Sequence, residues 1–155
     1  MKRELVKGFA MMTLIVVLAL TTAVASGKAQ SANRIVADIP FAFSVGYKTM
    51  PAGEYSVQTI ASAGNGLLIR SADGRISALR LSDETSRIKN KPHARLVFHR
   101  YGERYFLAEV WNGADNTGRQ LLQSQEERAV QRELASTSPS DQTTYETVEV
   151  VAMLR

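Results

Sequence analysis

The sequence predicts an all-β domain, a small antiparallel barrel or sandwich of about seven to eight strands with one helix near the C-terminus. Three observations predict it. Apolar residues fall at alternate positions along several short stretches, turn-forming residues separate these stretches, and one stretch alone carries a helix start signal. The chain has 155 residues, which corresponds to one domain once a targeting segment is set aside.

The first 25 residues have the parts of a signal peptide. Three basic residues stand among the first seven, an apolar run covers 9–25, and small residues favour cleavage after Ala25, with Ala29 as a second site. Cleavage leaves a flexible segment, 26–33, and a single β domain, 34–155. We therefore expect an exported protein, periplasmic or secreted. Because the apolar run is about as short as a spanning helix can be, an N-terminal membrane anchor is the alternative, and membrane contact is limited to this uncleaved segment.

The first predicted strand covers 35–45, where every second residue is apolar. Pro40 interrupts it, and since proline cannot donate a ladder hydrogen bond, it predicts an edge, a bulge or a break into two short strands. A turn region follows at 46–53, with proline and glycine at type I turn positions near its end. Alternation over 55–59 then predicts a second strand.

Two hairpins are predicted in the middle of the chain. Segments 67–71 and 76–81 flank Asp73-Gly74, a pair typical of type I′ turns, in a register that places Ile69 opposite Ala78. Polar residues 82–92 are interpreted as a loop. Segments 95–101 and 104–111 then form the second hairpin, and its register places Phe98 opposite Leu107, His99 opposite Phe106 and Arg100 opposite Tyr105.

The last third of the chain holds the predicted helix. After a short strand at 119–123, Ser124 and Glu127 match the S-x-x-E capping box, so the helix is expected over 125–135. Its apolar stripe is thin, which favours docking on a sheet edge. Residues 148–154 alternate again, and pairing of this last strand with the first would close a barrel or seal a sandwich edge.

Composition excludes several kinds of site. The chain has no cysteine, which rules out disulfides, thiolate metal sites and cysteine nucleophiles. Its two histidines, His93 and His99, have no carboxylate at chelating spacing. No serine-nucleophile motif and no phosphate-binding loop is present. We therefore expect a non-enzymatic protein without cofactor or metal, and the alternative is an enzyme whose site is assembled from scattered residues.

Charge is unevenly distributed along the chain. The net charge of +4 falls to about +2 without residues 1–25, so no specific nucleic-acid binding is expected. Residues 70–104 nevertheless carry nine basic and four acidic residues. If the basic residues share a face, they could hold an anionic ligand or envelope component, such as lipid headgroups or acidic polysaccharide. The alternative is ordinary solvated charge.

Candidate contacts for a ligand or partner are aromatic and basic residues of the middle segment. They are His99, Arg100, Tyr101, Tyr105, Trp111, Arg70, Arg80 and Arg95. Each has a structural alternative, since aromatic residues favour strands and an arginine opposite a tyrosine can form a cation–π pair. Neighbouring strand residues point to opposite faces, so His99 and Arg100 need a bulge to share a pocket. Trp111 is either a sugar-stacking platform or a core residue.

Several segments carry a family resemblance. Residues 39–46 end in F-S-V-G, residues 51–55 read P-A-G-E-Y, residues 96–107 read L-V-F-H-R-Y-G-E-R-Y-F-L, and the helix 124–134 has an E-R…R-E-L pattern. The chain resembles a family of short, exported, uncharacterised bacterial proteins in which a signal peptide, F-x-V-G, P-A-G-x-Y, a hairpin and a terminal helix follow in this order. The resemblance implies an intact exported domain and no catalytic or binding residue.

These observations together predict an exported, non-enzymatic β domain of the cell envelope that binds a ligand or partner, with an anionic ligand as one version. The alternative is a structural or interaction protein that docks through its helix or an edge strand. The identity of the partner does not follow from the residues.

Overall fold

The computed structural model describes most of the predicted β domain. The described residues are 34–60, 65–87, 92–114, 116–137 and 145–155. They belong to one of the two units into which the chain divides, Asn33–Arg155. The predicted signal peptide, its cleavage sites and the segment 26–33 lie outside the described residues. Within these ranges, no helix combines the length and the apolar composition that crossing a membrane requires.

Strands dominate the described residues, and the all-β prediction is confirmed. The single helix there lies near the C-terminus, as predicted, and starts at the predicted residue. It follows nine strands, and the described residues form eleven, more than the seven to eight expected. The elements are β1 (Arg34–Ile39), β2 (Phe43–Val45), β3 (Lys48–Met50), β4 (Gly53–Ile60), β5 (Gly66–Ser71), β6 (Ser77–Ser86), β7 (Arg95–Tyr101), β8 (Arg104–Trp111), β9 (Thr117–Leu121), α1 (Gln125–Thr137), β10 (Glu146–Val151) and β11 (Met153–Leu154).

The strands form one hydrogen-bonded path in the order β10-β7-β8-β9-β6-β5-β4-β1-β11, with antiparallel neighbours. The short β2–β3 hairpin lies off this path and joins β8 through one parallel pair, Ser44 with Phe106. The path does not close into a barrel, so that alternative is wrong. Its two ends are nevertheless neighbours in sequence, because Ala152 alone separates β10 from β11.

Two strands change partners along their length, and this folds the sheet around its core. Residues 77–81 of β6 pair with β5, and residues 82–86 pair with β9. The last stretch of the chain consists of β10, which pairs with β7, and β11, which follows Ala152 and pairs with β1. The predicted pairing of the end of the chain with the first strand is therefore observed. Strands that pass from one sheet to another are the usual corners of such folds.

The predicted loop at 82–92 is wrong for its first part, since β6 continues to Ser86. Ser82 is 1% exposed, although a buried strand position normally carries an apolar residue. Its hydroxyl and its backbone N–H both donate to the Asn65 carbonyl at 2.8 Å. Ser82 is therefore buried with its hydrogen bonds formed. Because the buried residue is polar, a hydropathy pattern does not indicate a strand here.

The region around Pro40 follows one of the predicted alternatives, a break into two short strands. β1 ends at Ile39 and β2 begins at Phe43. The turn predicted over 46–53 is too long, because β3 lies within it and pairs with β2. Met50 at the end of β3 is fully buried, and this burial explains why a three-residue segment forms a strand.

Both predicted hairpins have the predicted registers. Ile69 pairs with Ala78, and Phe98, His99 and Arg100 pair with their expected partners. The type I′ turn is wrong, because among the described residues only glycines have positive φ, here Gly74 at 70°. The Ser71 N–H instead donates to the Ile76 carbonyl at 2.8 Å across a four-residue loop.

The core lies between the two halves of the folded sheet. Its fully buried side chains come from nearly every strand of the path and from the β2–β3 hairpin; the largest are Tyr55, Phe43, Phe98, Ile39, Met50 and Leu67. A second, smaller cluster forms where α1 docks on β7 and β8. It contains Tyr101, Phe106 and Val130, with Leu134 and Tyr145 beside them. The thin apolar stripe of the helix therefore contacts the sheet, as predicted.

Candidate functional site

The lone tryptophan and two arginines of the basic segment form an internal cluster. The guanidinium groups of Arg87 and Arg95 lie 4.9 and 5.0 Å from the centre of the Trp111 ring. One carboxylate oxygen of Glu109 accepts from Arg87 at 2.6 Å and from the Trp111 indole at 2.7 Å. Arg95 is buried, and Glu149 lies 4.0 Å from it. The charges of Arg87 and Arg95 are therefore engaged in contacts within the protein.

Trp111 is 2% exposed. Gly118 of β9 covers it so closely that a Cβ at this glycine would lie 2.6 Å from the ring. Of the two roles predicted for Trp111, the structure therefore favours the core residue, because a stacking platform must present an open ring face.

The other predicted basic contacts lie on separate elements. Arg100 lies 5.6 Å from the ring centre of Tyr105, the cross-strand cation–π alternative, and 3.4 Å from Glu146. Arg80 donates to the Leu122 carbonyl at 3.3 Å, and Arg70 is exposed on β5. Lys89 and Lys91 lie outside the described residues. The described basic residues therefore do not form one continuous basic concavity.

His99 and Tyr101 lie on the face of β7 that α1 covers, and both contact the same helix carboxylate. The Oε1 atom of Glu127 lies 2.8 Å from His99 Nδ1 and accepts from the Tyr101 hydroxyl at 3.2 Å. Glu127 is 4% exposed. The Tyr145 ring packs against His99, with ring centres 4.1 Å apart. We call His99, Tyr101 and Glu127 the helix-anchor cluster.

The capping prediction is confirmed in one of its two hydrogen bonds. The Glu127 N–H donates to the Ser124 hydroxyl at 3.0 Å, and α1 starts at Gln125. In a full capping box the Glu127 carboxylate would return to the Ser124 backbone. It contacts the sheet instead, because His99 Nδ1 and the Tyr101 hydroxyl of β7 lie within hydrogen-bond distance of it. Its neighbour Glu126 is exposed, as expected from the 100° step between helix residues.

Burial, and next the neighbouring Glu127 carboxylate, raise the pKa of Tyr101 far above its ordinary value. The phenol therefore stays protonated and donates to Glu127 over the whole physiological range. A histidine oriented by a buried carboxylate resembles one half of an acid–base site. His99 does not, however, line the cavity between the two halves of the sheet or either of the two concavities along α1. The geometry favours a role in positioning the helix.

A cavity of about 220 Å³ opens between the two halves of the sheet, and we call it the inter-sheet cavity. Its buried lining is aliphatic and comes from four strands: Ile35, Val57, Leu67 and Val110. Its more exposed lining is polar and includes Thr59, Glu84, Asn112 and Arg119. The accessible lining is thus mainly polar above an aliphatic base, and polar groups of this kind fix the orientation of a ligand in small-molecule sites.

The polar rim of the inter-sheet cavity carries both charge signs. Glu84 and Arg119 are direct partners in the β6–β9 ladder. Arg119 also donates to the Asn65 side chain at 3.4 Å. The rim can therefore offer donors to an oxygen-rich head group and acceptors to a hydroxyl or amide.

A second concavity of about 480 Å³ lies along α1, and we call it the helix groove. Its buried residues are Phe43, Phe106 and Val130, from β2, β8 and α1. Three of its exposed residues are acidic, Glu103, Glu126 and Glu133, and the others are Ala42, Thr49, Arg104 and Ala129. The helix groove thus differs from the inter-sheet cavity in size and charge.

The inter-sheet cavity was not predicted from the sequence. Period-two alternation does place Val57 and Leu67 on the inner face, but it does not show where the two halves of a sheet separate. The helix groove was not predicted either. Among the described residues, no three histidine or acidic side chains converge as a metal site. The chain matches no protein-family model, no curated protein and no solved structure. The family resemblance therefore stays a prediction.

Proposed function

We propose that this domain is an exported, non-catalytic binding protein of the cell envelope and that its ligand occupies the inter-sheet cavity. One observation carries the proposal: four buried aliphatic side chains and a polar rim line a half-open cavity of about 220 Å³ between strands. Export rests on the signal-peptide pattern of residues 1–25.

The size and lining of the cavity define the class of ligand. Sites for drug-sized ligands measure roughly 300–1,000 Å³, so a smaller molecule fits here. Its apolar body contacts the aliphatic lining, and its polar head reaches the rim. In the anionic version of the proposal, the carboxylate of the ligand lies beside Arg119. Glu84 would repel a second negative charge on the ligand. The ligand is thus a small molecule with an apolar body and one polar head.

Intrinsic fluorescence provides the test, because the chain has a single tryptophan and Gly118 lines the cavity directly against it. Short-chain carboxylates, amides and alcohols of matched length would be titrated while Trp111 emission is recorded. We expect a saturable change for at least one series. Arg119→Gln should weaken a carboxylate by about tenfold and leave the amide unchanged if the head group is anionic.

A matched pair of variants locates the site. Thr59→Tyr puts a ring into the opening of the inter-sheet cavity, whereas Gln58→Tyr puts the same ring on the opposite face of β4. Thr59→Tyr should remove the fluorescence response, and Gln58→Tyr should retain it. Equal responses from both variants, or no saturable response from the unmodified chain, would overturn the proposal.

A further inference from the structure

The helix groove is a surface separate from the inter-sheet cavity, and α1 presents a charge-sorted face to it. Glu126, Ala129, Val130 and Glu133 line the groove at helical spacing. The two arginines of the middle of the helix, Arg128 and Arg132, line a different concavity together with glutamines. Acidic residues are therefore directed to the groove and basic residues away from it.

The base of the groove is apolar and aromatic. Phe43, Phe106 and Val130 form its buried part. Tyr105 is half-buried beside them and stacks on Phe41, with ring centres 4.0 Å apart. Such a surface can accept apolar side chains of a bound segment, and the aromatic faces also attract cations.

The walls of the groove are held in place before any partner arrives. The helix-anchor cluster fixes the first turn of α1 to β7 through two hydrogen bonds to Glu127. One turn later, Val130 packs on Tyr101 and Phe106. A preformed groove lowers the entropic cost of binding.

One strand beside the groove has an unpaired side. Among the described residues, β3 pairs with β2 alone, and its Thr49 lines the groove. An extended segment can add to such an edge through backbone hydrogen bonds.

The charges that line the groove determine which partner fits it. Three carboxylates, Glu103, Glu126 and Glu133, line it together with one guanidinium, Arg104, and Glu103 also lies 3.6 Å from a second, that of Arg100. With both guanidinium groups counted, the formal charge of these residues is negative by one. From this complementarity we propose that the helix groove docks an extended, basic segment of a partner protein, in which lysine or arginine alternates with apolar residues.

Two labelled peptides test this proposal on the full chain. One alternates lysine with valine, and the other replaces each lysine by glutamate. We expect fluorescence anisotropy to show saturable binding of the lysine peptide alone. Its affinity should fall as salt screens the exposed charges. Equal binding of both peptides, or no binding of the lysine peptide at low salt, would contradict the proposal.

Two substitutions on the same helix locate the contact. Ala129→Arg places a positive charge in the groove, and Ala135→Arg makes the same change at an exposed position that does not line it. Ala129→Arg should weaken the lysine peptide by about tenfold or more, while Ala135→Arg leaves binding within about twofold. Circular dichroism confirms that both variants keep the helix. Equal affinities in the two variants would overturn the proposal.

The variant Thr59→Tyr distinguishes ligand binding in the inter-sheet cavity from peptide binding in the helix groove. Thr59→Tyr lies outside the groove lining, so it should leave peptide binding unchanged while it removes the small-molecule response. Loss of both responses in Thr59→Tyr would contradict the assignment of peptide binding to the groove.

Discussion

Glu127 shows how one residue connects the helix to the sheet. Its backbone N–H is capped by Ser124, and its carboxylate contacts His99 and Tyr101 of β7. The capping motif was readable from the sequence because it is local. The sheet contact was not, because it joins residues 26 and 28 positions apart in the chain.

Removal of this carboxylate should destabilise the fold. Glu127→Ala leaves the buried Tyr101 hydroxyl and His99 without their acceptor, and we expect a loss of about 2–3 kcal/mol in the free energy of unfolding. Glu126→Ala is the control, since Glu126 is exposed and should cost less than about 1 kcal/mol. Urea denaturation measures both, and similar losses would show that the cluster does not anchor the helix.

Tyr101 predicts an alkaline dependence of stability. Its pKa is raised in the folded state above the ordinary tyrosine value of about 10, by burial first and then by Glu127. The folded protein therefore keeps a proton that the unfolded chain loses, so this stabilisation is complete below about pH 10 and is lost as the pH rises further. Tyr101→Phe should reduce the decline in unfolding free energy between about pH 9 and 11. An identical decline in the variant would contradict this explanation.

At the scale of elements, local signals were sufficient for the hairpins. The register of β7 and β8 follows from a two-residue turn and from alternation on both sides, so His99 pairs with Phe106 as predicted. Tertiary pairing decided the cases that were missed. β3 depends on burial of Met50, and residues 82–86 of β6 depend on β9 and on the Asn65 carbonyl.

The helix start should depend on its cap. Ser124→Ala removes the acceptor of the Glu127 N–H and should cost about 1 kcal/mol. Ser136→Ala is a matched control near the other end of α1, where the hydroxyl donates to the Glu133 carbonyl in an exposed position. Thermal unfolding should show a lower midpoint for Ser124→Ala than for Ser136→Ala, and the reverse order would contradict the assigned cap.

At the scale of the whole molecule, chain position and spatial position diverge. Residues 70–104 carry a basic excess in sequence, yet Arg87 and Arg95 contact Trp111 inside the protein, and Arg100 faces Glu146. Alternation along strands sends neighbouring residues to opposite faces. A linear charge asymmetry therefore does not show which residues share a surface.

The last strand joins the two ends of the sheet path. β10 pairs with β7, β11 pairs with β1, and the Arg155 N–H donates to the Arg34 carbonyl at 2.7 Å. Deletion of residues 153–155 should expose the edge of β1 and reduce the protection of its amides from hydrogen exchange. Met153→Ala keeps the backbone and alters an exposed side chain, so protection should be retained. Unchanged exchange after the deletion would show that this pairing does not stabilise β1.

The sequence-based site prediction and the structural candidates overlap little. The predicted β7–β8 hairpin supplies Val110 to the inter-sheet cavity and Phe106 to the helix groove, whereas the β2–β3 hairpin of the groove was not predicted. The predicted aromatic residues Tyr101 and Trp111 are buried in contacts within the protein. The cavity is lined by ordinary aliphatic residues such as Val57 and Leu67. Space between strands depends on how the sheet bends at β6 and Ala152, which residue types alone do not specify.

The most direct test of binding in the inter-sheet cavity is a map of amide chemical shifts during titration with the best small-molecule ligand. We expect the largest changes at Val57, Thr59 and residues 117–119, with saturation at one affinity. Amides of α1 should stay unchanged, since the helix lines a different concavity. Shifts confined to α1, or spread over the surface without saturation, would contradict the binding site at the centre of this account.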